Sequence, residues 1–269
     1  MIETQAVNFA YRRGEPVIFD ISCTIKDGEF VALLGHNGSG KTTLSRLFMA
    51  LDHPRSGRVL VDGNDIAKLE PADLADRVGY VFQNPDLQIL EDTVFDEVAY
   101  GLRCKKMTEE IIKKQVKDAL SAMGLEDLAD AYPRALSFGQ KRRLGVAAAL
   151  ALQPRTLILD EITNGQDEQE KEDMMDYLLK LNKEKQITII LITHDMNIAR
   201  KFTKRVLVLN DGNLVFDGET AVLFDGSKDI EQWGLKQPVL SQLGAKLGIT
   251  ALTPEEFCQK VSLKVGEKQ

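Results

Sequence analysis

The sequence predicts an α/β fold: a largely parallel sheet, an antiparallel β subdomain before it, a helical insertion within it and a helical tail after it. Three observations carry this expectation. Short runs rich in Val, Ile and Leu recur between polar helical stretches, at Phe30 to Leu34, Val78 to Phe82, Thr156 to Leu159, Thr188 to Ile192 and Val206 to Leu209. Strands covered on both faces read as such continuous apolar runs, and their alternation with helices marks the α/β class. Residues 85 to 152 carry almost no strand signal, which places a block of helices between two strands.

The elements follow in chain order. Val7, Phe9 and Tyr11 alternate with polar or small residues, Arg13-Gly14-Glu15 reads as a turn, and Val17 to Ile25 resumes strand composition. With Arg58 to Gly63 these form the antiparallel subdomain. A helix is expected over Thr43 to Leu51. Met107 to Met123 has helical spacing, with Ile111, Ile112, Val116, Leu120 and Met123 as its apolar positions. Ser137 opens a second helix that ends near Leu152. After Asp211-Gly212 a short hairpin is expected over Leu214 to Gly218, and residues 226 to 269 form the tail. Thr253-Pro254-Glu255-Glu256 starts a helix there, with Thr as N-cap, Pro at N1 and Glu at N3.

Composition bounds the function. There are 34 basic and 41 acidic residues, a formal net charge of -7. A nucleic-acid partner is therefore not expected, because such proteins carry a basic surface. Cys23, Cys104 and Cys258 form no C-x-x-C pair and read as reduced thiols. The first residues show no basic stretch leading into an apolar run, so no signal peptide is expected. The most apolar stretches, Val146 to Leu152 and Ile187 to Ile192, fall far short of the ~20 residues that span a bilayer. Any membrane role must come through partners.

Two motifs carry chemistry. Gly35, His36, Asn37, Gly38, Ser39, Gly40, Lys41 and Thr42 match G-x-x-x-x-G-K-[ST], between a strand and a helix. Glycines let successive backbone N–H groups curl around an anion, and the helix N-terminus adds positive potential. Lys41 can reach the β- and γ-phosphates of a nucleotide, and Thr42 can ligate Mg²⁺. Together with the adjacent Thr43 these are the candidate nucleotide-binding residues. Kinases, GTPases and motor ATPases share this loop. The second motif is an apolar strand, Thr156 to Leu159, that ends in Asp160 and Glu161. Phosphoryl transfer needs a carboxylate for the metal and another that orients water, which are the roles expected of Asp160 and Glu161.

Leu136-Ser137-Phe138-Gly139-Gln140 resembles the LSGGQ signature of the ATP-binding cassette (ABC) family. The resemblance extends over residues 1 to about 225 in the family's order. It implies a RecA-like P-loop core with a helical ABC subdomain inserted at about 85–152, and ATP and Mg²⁺ as cofactors. Tyr11 resembles the aromatic residue that stacks on adenine, Gln83 the Q-loop glutamine, Asp167 the D-loop aspartate and His194 the switch histidine. By this resemblance Glu161, His194 and Gln83 are catalytic, while Thr42, Gln83 and Asp160 hold the metal. Ser137, Gly139 and Gln140 reach ATP from the partner in a head-to-tail pair with a second ABC ATPase subunit, identical or different. Two departures stand out. Phe138 occupies a place usually held by glycine, and Ile162 and Gln166 replace the usual proline and leucine before Asp167.

Gln83-Asn84-Pro85-Asp86-Leu87-Gln88, followed by an acidic-apolar helix up to Gly101, is similar to the energy-coupling factor branch, importers of vitamins and of cobalt or nickel. That similarity implies a transmembrane coupling subunit contacting about 84–101, a separate substrate-binding membrane subunit, and a peripheral place on the cytoplasmic face of the membrane. Two alternatives stay open at this point: a soluble ABC ATPase, such as one for cluster assembly, and a weakly catalytic regulatory subunit.

Overall fold

The computed structural model describes residues 1–11 and 14–266. Arg13 of the expected turn and residues 267–269 of the expected tail lie outside the described residues.

The chain runs β1 (Ile2–Phe9), β2 (Ile18–Ile25), β3 (Phe30–Leu34), α1 (Lys41–Phe48), β4 (Ser56–Val61), β5 (Asn64–Asp65), α2 (Pro71–Leu74) and β6 (Val78–Val81). The insertion follows as α3 (Val94–Cys104), α4 (Glu109–Ala122) and α5 (Phe138–Ala151). Then come β7 (Thr156–Asp160), α6 (Glu168–Lys185), β8 (Thr188–Ile192), α7 (Met196–Phe202), β9 (Arg205–Asn210), β10 (Asn213–Glu219), α8 (Thr220–Leu223), α9 (Val239–Leu247) and α10 (Pro254–Gly266).

Two sheets result. The first is antiparallel, in the order β2-β1-β4-β5; the second has the order β10-β9-β3-β8-β7-β6. Strands β9, β3, β8, β7 and β6 run parallel. Every residue of β3, β7 and β8 is buried, which explains their unbroken apolar sequences. Leu157, Leu159, Ile189 and Leu191 pack against the inserted helices and α6. Ile158, Ile190 and Leu33 face the other way, onto α1 and the antiparallel sheet. Such a covered parallel sheet leaves its functional edge at the C-terminal strand ends.

Three expectations need correction. Leu214 to Gly218 is not a hairpin of its own. It lies in β10, which pairs antiparallel with β9 and closes the parallel sheet. Asp211 and Gly212 both have positive φ, 46° and 77°, the two-residue turn that suits the twist of paired strands. Ile111 is 45% exposed, because α4 seats Ile112, Val116, Ala119 and Leu120 in the core instead. Finally, the helix expected from Thr43 begins at Lys41 and stops at Phe48, so Thr42 and Thr43 belong to its first turn.

Candidate active site

The parallel register places the ends of β3, β7 and β8 side by side. Leu33 and Asp160 both pair with Ile192, so the turns after these strands converge. The loop after β3 carries the phosphate motif, the turn after β7 begins at Glu161, and His194 follows β8. They border a cavity of about 790 Å³, lined also by Val17, Gln83, Asn164, Met196 and Gly234 to Lys236.

The phosphate loop is folded tightly on itself. Gly35 has φ 151°, and a Cβ there would come within 2.4 Å of both Leu209 O and Ser39 Oγ. The Gly212 N–H of the β9–β10 turn donates to Ser39 O (3.0 Å), tying the loop to the sheet edge. Lys41, 6% exposed, donates its ammonium to Gly35 O (2.8 Å) and His36 O (2.9 Å). Burial pushes the Lys41 ammonium pKa down, against the pull of Glu161 and Asp160. Ser39 Oγ is buried without a hydrogen-bond partner among the described residues. The His36 ring pairs with Asp211 (3.2 Å), so His36 meets the cavity beside its own loop backbone.

The two acids have different surroundings. Asp160 accepts a hydrogen bond from Tyr80 Oη (2.7 Å). Burial first, and then the nearby Glu161, hold its carboxyl above the usual range, while Tyr80 opposes this. Glu161 stands in the left-handed region at φ 50°. Its N–H donates to Ile192 O (2.9 Å), and Arg142 Nη1 donates to its carbonyl (3.2 Å) and to that of Ile162. Glu161 Oε2 accepts from Gln83 Nε2 (2.8 Å) and Asn164 Nδ2 (2.5 Å), and Oε1 lies 3.2 Å from His194 Nδ1. The carboxylate is thus held by three polar side chains.

The donor set suits Mg²⁺. Thr42 offers a hydroxyl, Asp160 a carboxylate whose Oδ1 has no hydrogen-bond partner among the described residues, and Gln83 an amide oxygen left over when its Nε2 donates to Glu161. Among the described residues no group of three or more His, Cys, Asp or Glu could hold a metal alone. This also fits Mg²⁺, which keeps waters and substrate phosphates in its shell.

The remaining predicted residues lie elsewhere. Tyr11 is 46% exposed and does not line the cavity. Its ring meets Phe9 edge-on, and its hydroxyl pairs with Thr43 Oγ1 at 3.0 Å. Ser137, Gly139 and Gln140 open α5 away from the cavity. Ser137 Oγ accepts from the Gln140 N–H (3.2 Å), and Gln140 Oε1 accepts from the Ser137 N–H (2.9 Å), a capping box. Asp167 caps α6 by accepting from the Glu170 N–H (2.8 Å). Within this chain the signature residues do not line the cavity of the phosphate loop.

Residues 18–164, more than half of the chain, match the sequence profile described as ABC transporter. The chain belongs to the ABC transporter family, as an ATPase cassette. It is 40% identical to the energy-coupling factor transporter ATP-binding protein EcfA2 of Clostridium perfringens, over 90% of this chain and 88% of that one. Among solved structures, it is similar to cbiO1 of Clostridium perfringens, described as part of the ABC transporter complex cbiONQ (35% identity, TM-score 0.79, covering 90% of this chain and 97% of that one). An ATP-binding cassette solved as a dimer in a post-hydrolysis state with ADP and Pi is 32% identical, with TM-score 0.75 over 82% of this chain and 99% of that one. The chain spans between 40% and 45% of the length of three other curated relatives. No described helix is long and apolar enough to cross a membrane.

Two of the departures from the ABC pattern, Phe138 and Ile162, have a local structural basis, whereas nothing in the structure explains Gln166, whose Oε1 is buried without a hydrogen-bond partner among the described residues. The Phe138 ring lies under the Arg142 guanidinium, 4.6 Å from centroid to Cζ, and borders Gly165. Ile162 is fully buried. Arg142, 2% exposed, thus connects the second turn of the signature helix to the backbone of Glu161. Sequence reasoning missed this residue, as it missed Tyr80, Asn164 and the wall from Gly234 to Lys236. Nothing separates Arg142 from its neighbours Lys141 and Arg143 in the sequence. Arg142→Met removes the side-chain donor of Ile162 O and one of the two donors of Glu161 O, which keeps the Asn164 N–H. It is expected to cost about 1–3 kcal/mol of stability in urea unfolding and to slow ATP turnover.

Proposed function

We propose that the chain is the ATP-binding and ATP-hydrolysing subunit of a membrane importer of the energy-coupling factor type, moving a vitamin or a metal ion such as cobalt or nickel. Residues 1–225 are the ATPase domain, with the helical subdomain at about 85–152, and 226–269 are a C-terminal extension. The observation that carries this reading is the convergence of Lys41, Asp160, Gln83 and His194 on the cavity that holds Glu161.

In this reading the phosphate-loop N–H groups and Lys41 bind the β- and γ-phosphates of ATP, and adenine lies toward Tyr11 and Val17. Lys41 exchanges its loop carbonyls for phosphate oxygens, which removes part of the cost of its burial. Glu161, steadied by Gln83, Asn164 and His194, orients the attacking water and draws its proton. Thr42, Asp160 and Gln83 would hold Mg²⁺, which neutralises phosphate charge when bound. Ser137, Gly139 and Gln140 serve the site of a second cassette. Their absence from the lining of this chain's own nucleotide cavity, and the dimeric relative, support that arrangement.

Leu87, Leu90 and Tyr100 are 76%, 65% and 45% exposed. So much apolar surface within residues 84–101 supports a docking face for the transmembrane coupling subunit. The substrate-binding subunit is a separate membrane protein, and this chain sits peripherally on the cytoplasmic face. Phosphate release by the purified chain, alone and with its membrane partner, tests the reading. Hydrolysis of ATP to ADP and phosphate is expected; nucleotide binding without turnover in both preparations would favour a regulatory subunit instead.

A further inference from the structure

The C-terminal segment returns across the mouth of the nucleotide cavity. Ile230 and Leu235 are buried with Ala32, Leu34 and Phe224, so they anchor the segment to the strand that feeds the phosphate loop. Gly234 stands at φ 69°, and a Cβ there would lie 3.0 Å from His36 Cβ. Both the backbone conformation and the close approach call for glycine. Leu235 and Pro238 are buried while Lys236 between them is exposed.

Lys236 lines the nucleotide cavity and also the groove beside it. Asn164, His194 and Met196 are the other residues common to both. Asn164 and His194 are two of the three side chains that hold Glu161, so Lys236 borders the Glu161 end of the cavity. Among the described residues no hydrogen bond or ion pair engages its ammonium. Charge points the same way. The cavity lining carries the cations Lys41 and Lys236 and the anions Asp160 and Glu161. Without Lys236 the anions outnumber the cations, a poor field for a polyphosphate.

We propose that Lys236 is a second phosphate-binding cation of this site, contacting the terminal phosphate of ATP. The proposal rests on the ATPase reading and deepens it. The C-terminal extension is then part of the nucleotide site, and discrimination of ATP from ADP resides partly in it. A flexible ammonium suits this task, acting as a point charge where a moving phosphate needs no fixed fork.

The test uses the full-length chain with Lys236→Ala, Lys236→Arg and Lys236→Glu. Binding of ATP and of ADP is measured by titration, and turnover by phosphate release. Lys236→Ala should weaken ATP binding and raise KM roughly 5- to 10-fold, the loss of one charge-assisted contact. ADP binding and kcat should change less than about 2-fold. Lys236→Arg should restore most of the loss, and Lys236→Glu should deepen it, by the sign of the charge. ATP affinity unchanged in Lys236→Ala, or ATP and ADP weakened equally, would overturn the assignment. Either result leaves the wild-type activity in place, whereas absence of ATP binding by the wild-type chain contradicts the underlying reading instead.

Discussion

Glu161→Gln is expected to bind ATP as the wild type does and to hydrolyse it roughly 10²–10⁴-fold more slowly, the range that general acid–base catalysis contributes. The geometry makes this substitution informative. Oε2 accepts both amide donors, Gln83 and Asn164, while Oε1 faces His194 Nδ1. A glutamine can put its carbonyl oxygen where Oε2 stands and its NH₂ toward the imidazole. The Gln83 and Asn164 contacts survive, the His194 contact survives with the imidazole Nδ1 as acceptor instead of donor, and otherwise only the negative charge and the proton acceptor are lost. The variant should therefore retain ATP and accumulate as an ATP-bound pair of cassettes, visible by size-exclusion chromatography with light scattering. Turnover within a factor of about two of wild type would remove Glu161 from the role of base.

Lys41→Ala should abolish measurable turnover and weaken ATP binding by roughly 10- to 100-fold, the range of one strong hydrogen bond to a charged group. Lys41 is buried beside two acids, and in the absence of ligand its ammonium is held by Gly35 O and His36 O. Truncation removes the phosphate partner and also takes the ammonium from Gly35 O and His36 O, leaving the loop with only the Ser39 N–H bond to His36 O (3.1 Å) as a tie of this kind. Fluorescent-nucleotide titration measures the first loss, and hydrogen exchange over residues 35–41 reports the second. Wild-type affinity would contradict the placement of phosphates in the loop.

Much of this site is legible in the sequence because its parts are local. A run such as Phe30 to Leu34 declares a strand covered on both faces, and the glycines and Lys41 after it declare a turn around an anion. Asp160 and Glu161 are legible for the same reason, as acids at the end of a buried strand. What stayed hidden depends on contacts between distant segments. Residues 213–219 show strand composition but not their partner, so the closing strand of the sheet reads as an isolated hairpin. Arg142 looks like any cation of a basic run until the fold sets it under the carbonyls of Glu161 and Ile162. Phe138 and Ile162 look like defects in family motifs, yet one lies against Arg142 and the other is fully buried. Gly234 to Lys236 carry no motif, and only the burial of Ile230 and Leu235 brings them to the phosphate loop.

In the proposed function, ATP hydrolysis at this site drives a membrane importer. The most direct measurement of this is purification of the chain, tagged in its native host, from detergent-solubilised membranes, with the co-purifying subunits identified by mass spectrometry. A second ABC cassette and at least one transmembrane subunit are expected in the complex, with ATPase activity that disappears in the Glu161→Gln form. Recovery of the chain from the soluble fraction, without any transmembrane subunit, would contradict the account.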